Sequence, residues 1–286
     1  MAHLALKSVF TLALAAMSSA HRITQMSPSV GPETGTLIIV GGGSLSDSIY
    51  QRVIDLAGGN DAPIVVIPTA GGEASYDQDS EPAPTFRRLG SNNVTVLHTY
   101  DPEIADTEEF AKPLTEAKGV WFGGGRQWRL VDAYAGTRTE ALFWDVLGRN
   151  GVIGGSSAGA SIQGSFLARG DTENNQVMVG DHQVGFGFVK DAAIDQHVLI
   201  RNRQFDMFDI LKARPELLGV SIDENTALIV SGNDAEVFGA SYAIFYDGKF
   251  WSREGWDLKN LPDKSSIFYF LRSGDRYDLG RREVVQ

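Results

Sequence analysis

Short apolar runs that end in glycine clusters recur along this 286-residue chain and constrain its fold more than any other feature. Successive residues of each run are apolar, which predicts strands buried on both faces, and helical patterns separate most of the runs. Strands of this kind are typical of a mostly parallel sheet with helices on both faces. We therefore predict an α/β fold, with one domain at residues 35–286. The predicted strands lie at residues 37–40, 64–67, 94–97, 120–122 and 152–153.

The glycine clusters lie where a parallel α/β sheet places its ligands, at the carboxyl ends of the strands. Gly41-Gly42-Gly43, after the first run, resembles the start of a dinucleotide fingerprint, but the last glycine of that motif is missing. No acidic residue closes the next strand near Ile67 to take a ribose hydroxyl. Close packing of strand against helix explains these glycines as well, and we favour it over a dinucleotide site.

Charge and cysteine content exclude several classes of protein. The formal net charge is −11, from 36 acidic and 25 basic side chains, so we expect no nucleic-acid partner. The chain contains no cysteine, which excludes a disulfide framework, a thiolate metal site and a cysteine nucleophile. No group of side chains has the spacing of metal ligands, so we expect neither a metal nor a cofactor.

Residues 1–20 have the pattern of a secretory signal peptide. Lys7 precedes an apolar stretch at residues 8–17, and small residues follow at Ser18-Ser19-Ala20. The stretch is too short to span about 30 Å of hydrocarbon, and no later stretch is longer, so we expect no membrane partner after cleavage. An uncleaved amphipathic start is the alternative. We expect a secreted protein, extracellular or periplasmic, with Asn93 as a glycosylation acceptor only in a eukaryotic host.

Ser157 lies in the sequence Gly155-Ser156-Ser157-Ala158-Gly159, directly after a predicted strand. A G-x-S-x-G motif between a strand and a helix is typical of a nucleophile elbow, which exposes the serine hydroxyl on a strained turn. The backbone N–H groups at the start of that helix would suit a developing oxyanion. A helix cap or a plain turn in a glycine-rich loop is the alternative.

His197 is the strongest candidate for the base that such a serine needs. It follows Asp195 and Gln196 within an apolar run, and Arg201 and Arg203 come four and six residues later. Polar groups in an apolar run are costly unless they face a site. The alternative makes the two arginines solvated residues at the start of a helix. Of the other histidines, His3 and His21 lie in or beside the leader, His98 fits a structural role and His182 a surface turn.

These motifs resemble cyanophycinase, in the right order along the chain. The wider group contains peptidase E, serine exopeptidases with a class I glutamine amidotransferase-like fold and a nucleophile elbow after a central strand. No histidine follows His197, which argues against the α/β-hydrolase order. The similar segment covers about residues 36–230. The matching pieces are Gly123-Gly124-Gly125-Arg126-Gln127, the elbow, Asp195-Gln196-His197 with the two arginines, and Asp223-Glu224-Asn225-Thr226-Ala227-Leu228.

The resemblance implies a role for each matching position. Ser157 would be the nucleophile and His197 its base, and backbone N–H groups of Gly124 and Ala158 would hold the oxyanion. The third member of the triad would be an acid that orients the imidazole of His197. Glu224, which follows the predicted end of a strand, is one candidate for this acid, and Asp171 and Glu173 are the other two. The residues implied to line the substrate pocket are Gln127, Asp195, Gln196, Arg201 and Arg203.

The resemblance also implies a substrate. Cyanophycinases cut β-aspartyl-arginine units from a polymer with a polyaspartate backbone, and the guanidinium groups of Arg201 and Arg203 suit substrate carboxylates. One position departs from the family, because Asp206 stands where the family carries a further arginine. If a helix begins near Arg203, Asp206 lies one turn later and can pair with Arg203 or attract a basic substrate group. We therefore expect short β-aspartyl peptides with a basic or neutral partner to be preferred over the long polymer.

The sequence therefore predicts a secreted serine peptidase that hydrolyses β-aspartyl bonds of the Asp-Arg type through an acyl-enzyme. One alternative is an esterase or amidase with another acyl substrate. Another is a non-catalytic amidotransferase-like domain that binds a small ligand. The oligomeric state stays open, with a homodimer as one option.

Overall fold

The computed structural model describes residues 29–258, 260 and 262–285. The predicted signal peptide at residues 1–20 lies outside the described residues. Among those that are described, no helix has the length and apolar character to cross a membrane.

Strands and helices alternate along the first two thirds of the chain, and strands dominate the last third. The helices are α1 (Asp47–Ala57), α2 (Ala83–Arg88), α3 (Pro102–Ala105), α4 (Glu108–Glu116), α5 (Trp128–Tyr134), α6 (Arg138–Gly148), α7 (Ala158–Ser161) and α8 (Met207–Ala213). The strands are β1 (Thr36–Val40), β2 (Ile64–Ile67), β3 (Val94–Val96), β4 (Gly119–Phe122), β5 (Val152–Ser156), β6 (Gly164–Phe166), β7 (Val189–Gln196), β8 (Leu218–Ile222), β9 (Thr226–Ser231), β10 (Asp234–Gly239), β11 (Tyr242–Tyr246), β12 (Tyr269–Arg272), β13 (Arg276–Asp278) and β14 (Glu283–Val285).

The larger sheet has nine strands in the order β14-β13-β10-β9-β1-β5-β4-β2-β3. Strands β1, β5, β4, β2 and β3 pair in parallel, as the apolar runs predict. Strands β9, β10, β13 and β14 join the other edge in antiparallel pairs. The predicted α/β fold is confirmed, with a sheet that is parallel in its N-terminal half and mixed as a whole.

Both faces of the parallel half are buried, and helices cover both. In β1, Leu37 and Ile39 pack with one apolar cluster, while Ile38 and Val40 pack with another on the opposite face. Helix α1 buries Val53 on the second face, whereas α5 and α6 bury their apolar side chains on the first. Each fully buried aliphatic side chain contributes about 1.5–3 kcal/mol to folding, so this alternation sets the register of β1.

A second sheet of five strands runs in the order β12-β11-β8-β7-β6. Strands β6, β7 and β8 pair in parallel. Strands β11 and β12 extend the sheet beyond β8 in antiparallel pairs. Strand β7 ends one residue before His197, and β8 ends two residues before Glu224. The nucleophile elbow follows β5, which lies between β1 and β4 near the centre of the larger sheet. The site therefore forms where strand ends of the two sheets meet.

Candidate active site

Ser157 lies on a strained turn between β5 and α7. Its backbone φ is 57° and its ψ is −111°, a conformation that non-glycine residues rarely adopt. The flanking glycines make the turn sterically feasible. A Cβ on Gly155 would collide with the backbone of Gly159, and a Cβ on Gly159 would collide with the carbonyl of Phe122.

His197 lies beside Ser157, although the two residues come from different sheets. The His197 Nε2 atom lies 2.9 Å from Ser157 Oγ. The backbone N–H of His197 donates to the carbonyl of Gly41 over 2.8 Å, which ties the end of β7 to the end of β1. Among the other histidines of the described residues, His98 contacts Thr69 and His182 contacts Asp132.

Glu224 contacts the other ring nitrogen of His197. The distance from Glu224 Oε1 to His197 Nδ1 is 2.5 Å, and Glu224 lies in the turn between β8 and β9. The carboxylate of Asp171 accepts backbone N–H groups of its own exposed turn, from Glu173 and Asn174. Of the three acids that the sequence left open, the geometry favours Glu224 as the partner of the imidazole.

The first glycine cluster lies against the histidine and the glutamate. A Cβ on Gly42 would overlap the His197 ring, and a Cβ on Gly43 would overlap the Glu224 carboxylate. Their φ angles of 109° and 76° also favour glycine. From the sequence, packing of strand against helix explains these glycines. The structure shows instead that they allow backbone to approach two side chains from the second sheet.

The surroundings of His197 lower the pKa of its imidazole. Burial has the largest effect, and the nearby charges of Arg201 and Arg203 act in the same direction, while Glu224 opposes them. The imidazole is therefore neutral at neutral pH. With Nδ1–H donating to Glu224, Nε2 is available to accept the proton of the Ser157 hydroxyl.

The predicted oxyanion donors lie on two sides of Ser157. A Cβ on Gly124 would lie 3.4 Å from Ser157 Cβ and 3.8 Å from Ser157 Oγ, so the backbone of Gly124 is close to the hydroxyl. Ala158 is the first residue of α7. Within the described part of the chain, the backbone N–H groups of Gly124 and Ala158 have no hydrogen-bond acceptor. They are thus available to an oxyanion that develops beside Ser157.

Four of the five predicted pocket residues are buried, namely Gln127, Asp195, Gln196 and Arg203. Gln127 is fully buried, and its amide nitrogen donates to the carbonyl of Ala168 over 2.5 Å. Gln196 is 2% exposed and stands near Arg203, with 3.3 Å from Gln196 Oε1 to Arg203 Nη1. Asp195 is also fully buried, and both of its carboxylate oxygens accept hydrogen bonds from Arg169, over 2.8 and 3.0 Å. Asp195 is therefore satisfied without a substrate.

Arg169 is a buried cation that the sequence analysis missed. Its Nη2 atom lies 2.6 Å from Asp206 Oδ2, so Asp206 pairs with Arg169, whereas the sequence left open a pair with Arg203 or the attraction of a basic substrate group. The condition for a pair with Arg203, a helix that begins near Arg203, is not met, because α8 begins at Met207 and leaves Asp206 and Arg203 in the turn before the helix. Burial opposes the charged form of Arg169, but Asp195 and then Asp206 outweigh it and raise its pKa. The only local signal was a charged residue directly after the apolar residues 166–168.

Arg203 is a second buried cation, and it has no carboxylate partner. It is 5% exposed, and no carboxylate among the described residues lies within ion-pair distance of it. Burial and the charge of Arg169 lower its pKa. Arg201, on the same segment, is exposed. A buried guanidinium that lacks a counter-ion is suited to bind a carboxylate of a ligand.

A cavity of about 310 Å³ opens on Ser157 and His197. The cavity does not include the predicted pocket residues. A larger cavity of about 400 Å³ lies beside Tyr246 and Asp247, away from Ser157. The residues that line the cavity at Ser157 are Gly43, Leu45, Tyr50, Glu81, Pro82, Trp121, Gly123, Gly124, Ser156, Ser157 and His197. No group of acidic, histidine or cysteine side chains in the described residues could hold a metal ion.

Comparison with known proteins gives consistent matches over most of the chain. Residues 37–238 match the model of Peptidase family S51. Cyanophycinase from Geminocystis herdmanii (strain PCC 6308) is 28% identical over 255 residues, which cover 85% of this chain and 93% of that protein. Cyanophycinase from Synechococcus elongatus is 29% identical over 269 residues, which cover 87% of this chain and 81% of that protein. The crystal structure of a peptidase from an acI-B1 Actinobacterium has a similar fold, with a TM-score of 0.64 and 23% identity over 87% of this chain and 98% of the other.

Proposed function

Because the chain belongs to peptidase family S51 and is a serine exopeptidase, we propose that it hydrolyses aspartyl peptides of the β-Asp-Arg type through an acyl-enzyme on Ser157. The observation that carries the proposal is the continuous hydrogen-bonded chain from Ser157 through His197 to Glu224. The cyanophycinases among its relatives support the substrate class.

The geometry supports a two-step acyl transfer. His197 Nε2 takes the hydroxyl proton as Ser157 Oγ attacks the scissile carbonyl, and Glu224 stabilises the imidazolium that forms. The N–H groups of Gly124 and Ala158 hold the oxyanion of the tetrahedral intermediate. The imidazolium then gives its proton to the departing amine, which leaves an ester on Ser157. A water molecule hydrolyses this ester by the same proton transfers in reverse.

Arg203 and Arg201 orient the acidic part of the substrate. Arg203 is buried and has no carboxylate partner among the described residues, and Arg201 lies near it on an exposed segment, so a substrate carboxylate would complete the charge balance. A polymer or peptide built from aspartyl units supplies such carboxylates. A cyanophycin-like substrate thus fits the charges of this part of the site.

Steady-state kinetics on three matched substrates test the proposal. These are the β-Asp-Arg dipeptide, its α-linked isomer and a short oligomer of β-Asp-Arg units. We expect turnover of at least one β-linked substrate and little turnover of the α isomer. Equal rates on the two dipeptides would contradict the specificity for side-chain linkage. Absence of turnover on all three, in a protein whose serine reacts with a fluorophosphonate, would point to another acyl substrate.

We further propose that the protein is exported and that residues 1–20 are removed on the way. Expression in a secreting host, followed by mass measurement of the released protein, tests this. A mature chain that begins at His21 supports the proposal, and a full-length chain retained in the cells contradicts it.

A further inference from the structure

The cavity at Ser157 carries a charge opposite to that of the two arginines. Among the described residues that line it, only Glu81 has a formal negative charge, and none is a lysine or an arginine. Glu81 is exposed, and no cation in the described part of the chain lies within ion-pair distance of it. Its one side-chain contact is a weak hydrogen bond, over 3.3 Å, from the hydroxyl of Thr85. The nearby Arg88 is paired with Asp47 over 2.6 and 2.8 Å.

The rest of the cavity suits a long cationic side chain. The half-buried side chains of Leu45 and Tyr50 offer apolar surface, against which a methylene stem can pack. The ring of Tyr50 lies beside Trp121, with 5.2 Å between the ring centroids, and it lines the same cavity. A planar guanidinium can stack on such a ring while it donates hydrogen bonds to a carboxylate. An acidic side chain would meet the like charge of Glu81 instead.

We propose that the cavity between Ser157 and Glu81 is a subsite for an arginine side chain of the substrate, with Glu81 as the residue that sets this preference. The inference rests on the proposed function, since it concerns the same site, and Glu81 is not among the residues that the sequence indicates for that site. The acid that the sequence indicated for a basic group, Asp206, is occupied by Arg169. Glu81 has no ion-pair partner in the part of the chain that the structure describes, and it lies on the same cavity as the reacting serine.

The first test compares two substrates that differ only in charge. An aspartyl peptide that carries arginine is compared with the same peptide carrying citrulline, which keeps the shape and loses the charge. We expect the wild type to have a higher kcat/KM on the arginine peptide. In Glu81→Gln the ratio of the two kcat/KM values should fall by about two- to fivefold, the usual effect of one ion pair that stays exposed to solvent. Glu81→Arg should lower the ratio further.

The matched control is Glu116→Gln, which makes the same change of charge elsewhere. Glu116 is exposed at the end of α4, just before β4 begins, whereas the site lies beyond the carboxyl end of β4. We expect this variant to keep the wild-type ratio. An equal fall in Glu116→Gln would show that the effect is one of net charge, and would overturn the subsite.

A second test is independent of any peptide substrate. Agmatine, which carries the guanidinium and methylene stem of arginine, should slow the reaction of Ser157 with a small fluorophosphonate in the wild type but not in Glu81→Gln. If no aspartyl peptide is cleaved and agmatine still protects in this way, the proposed substrate is wrong and the subsite stands. If aspartyl peptides are cleaved with an unchanged ratio in Glu81→Gln, the subsite is wrong and the proposed function stands. Absence of both cleavage and labelling would overturn both.

Discussion

The two sides of the site differ in how their charges are held. The arginine side, defined by Arg201 and Arg203, follows His197 on the second sheet, and Arg203 is 5% exposed among other buried charges. The acid side, defined by Glu81 and Tyr50, belongs to the first half of the chain, and its carboxylate is exposed. A buried charge without a partner costs free energy in the absence of a ligand, whereas an exposed one is hydrated at little cost. Substitutions should therefore affect both folding and binding on the arginine side, but mainly selectivity on the acid side.

Loss of the serine that lies between the two sides should have the largest effect. In Ser157→Ala, turnover should fall by a factor of about 10³–10⁶, because the residue forms the covalent intermediate. His197→Ala should lose a similar amount, and the double variant no more than either. Thermal unfolding and substrate binding should stay near those of the wild type, since neither side of the site is altered. Retention of more than a tenth of the activity in Ser157→Ala would rule out the serine mechanism.

Arg169 tests the claim that the arginine side depends on buried charge pairs. Arg169→Ala leaves Asp195 without its partner in the interior, which should lower the free energy of unfolding by about 3–5 kcal/mol. Chemical denaturation monitored by circular dichroism measures this loss. Arg276→Ala breaks the exposed pair with Asp234 and should cost less than about 1 kcal/mol. Equal losses in the two variants would show that the buried network contributes no more than a surface pair.

The two arginines of the arginine side should differ from each other. Arg203→Met keeps the stem and removes the buried charge, and we expect KM for a substrate with a free carboxylate to rise by about 10- to 100-fold. Arg201→Met removes an exposed charge, so KM should rise by less than about fivefold. A substrate in which that carboxylate is amidated should show neither difference. An equal rise in KM for the two variants would mean that burial is not what gives Arg203 its role.

The smallest expected effects are shifts of the pH profile, which separate the influence of Arg201 on His197 from that of Glu224. Because the pKa of His197 lies below its usual value and the neutral imidazole is the base, kcat/KM should rise with pH through that lowered pKa and stay high above it. Glu224 raises this pKa, so Glu224→Gln should move the acid limb to lower pH while it reduces the rate. Arg201 lowers the pKa, so Arg201→Gln should move the limb to higher pH. Shifts in the same direction would contradict these charge effects.

Local sequence patterns were sufficient for the parallel half of the sheet and for the elbow. Leu37 and Ile38 face opposite ways in adjacent positions of one strand, so an apolar run by itself indicates burial on both faces. Likewise, the turn at Ser157 requires glycine two residues before and two residues after the serine, because a Cβ at either position would collide with backbone atoms, and both glycines are visible in the sequence. The antiparallel strand β9 is also an apolar run, but such a run does not give the direction of its pairing, and β10, β13 and β14 are too short or too exposed to form a continuous apolar run.

What the sequence by itself determined was therefore the set of short-range constraints: which strands are buried on both faces, where the chain turns sharply and which residues have reactive side chains. The tertiary structure decided which distant groups meet. It placed Arg169 rather than Arg203 beside Asp206, put the Gly42 backbone against the His197 ring, and brought Glu81 to the cavity of Ser157. The physical reason is that strand and helix periods act over a few residues. Charge pairing and close backbone contact depend instead on how two sheets pack, and no local pattern encodes the partner.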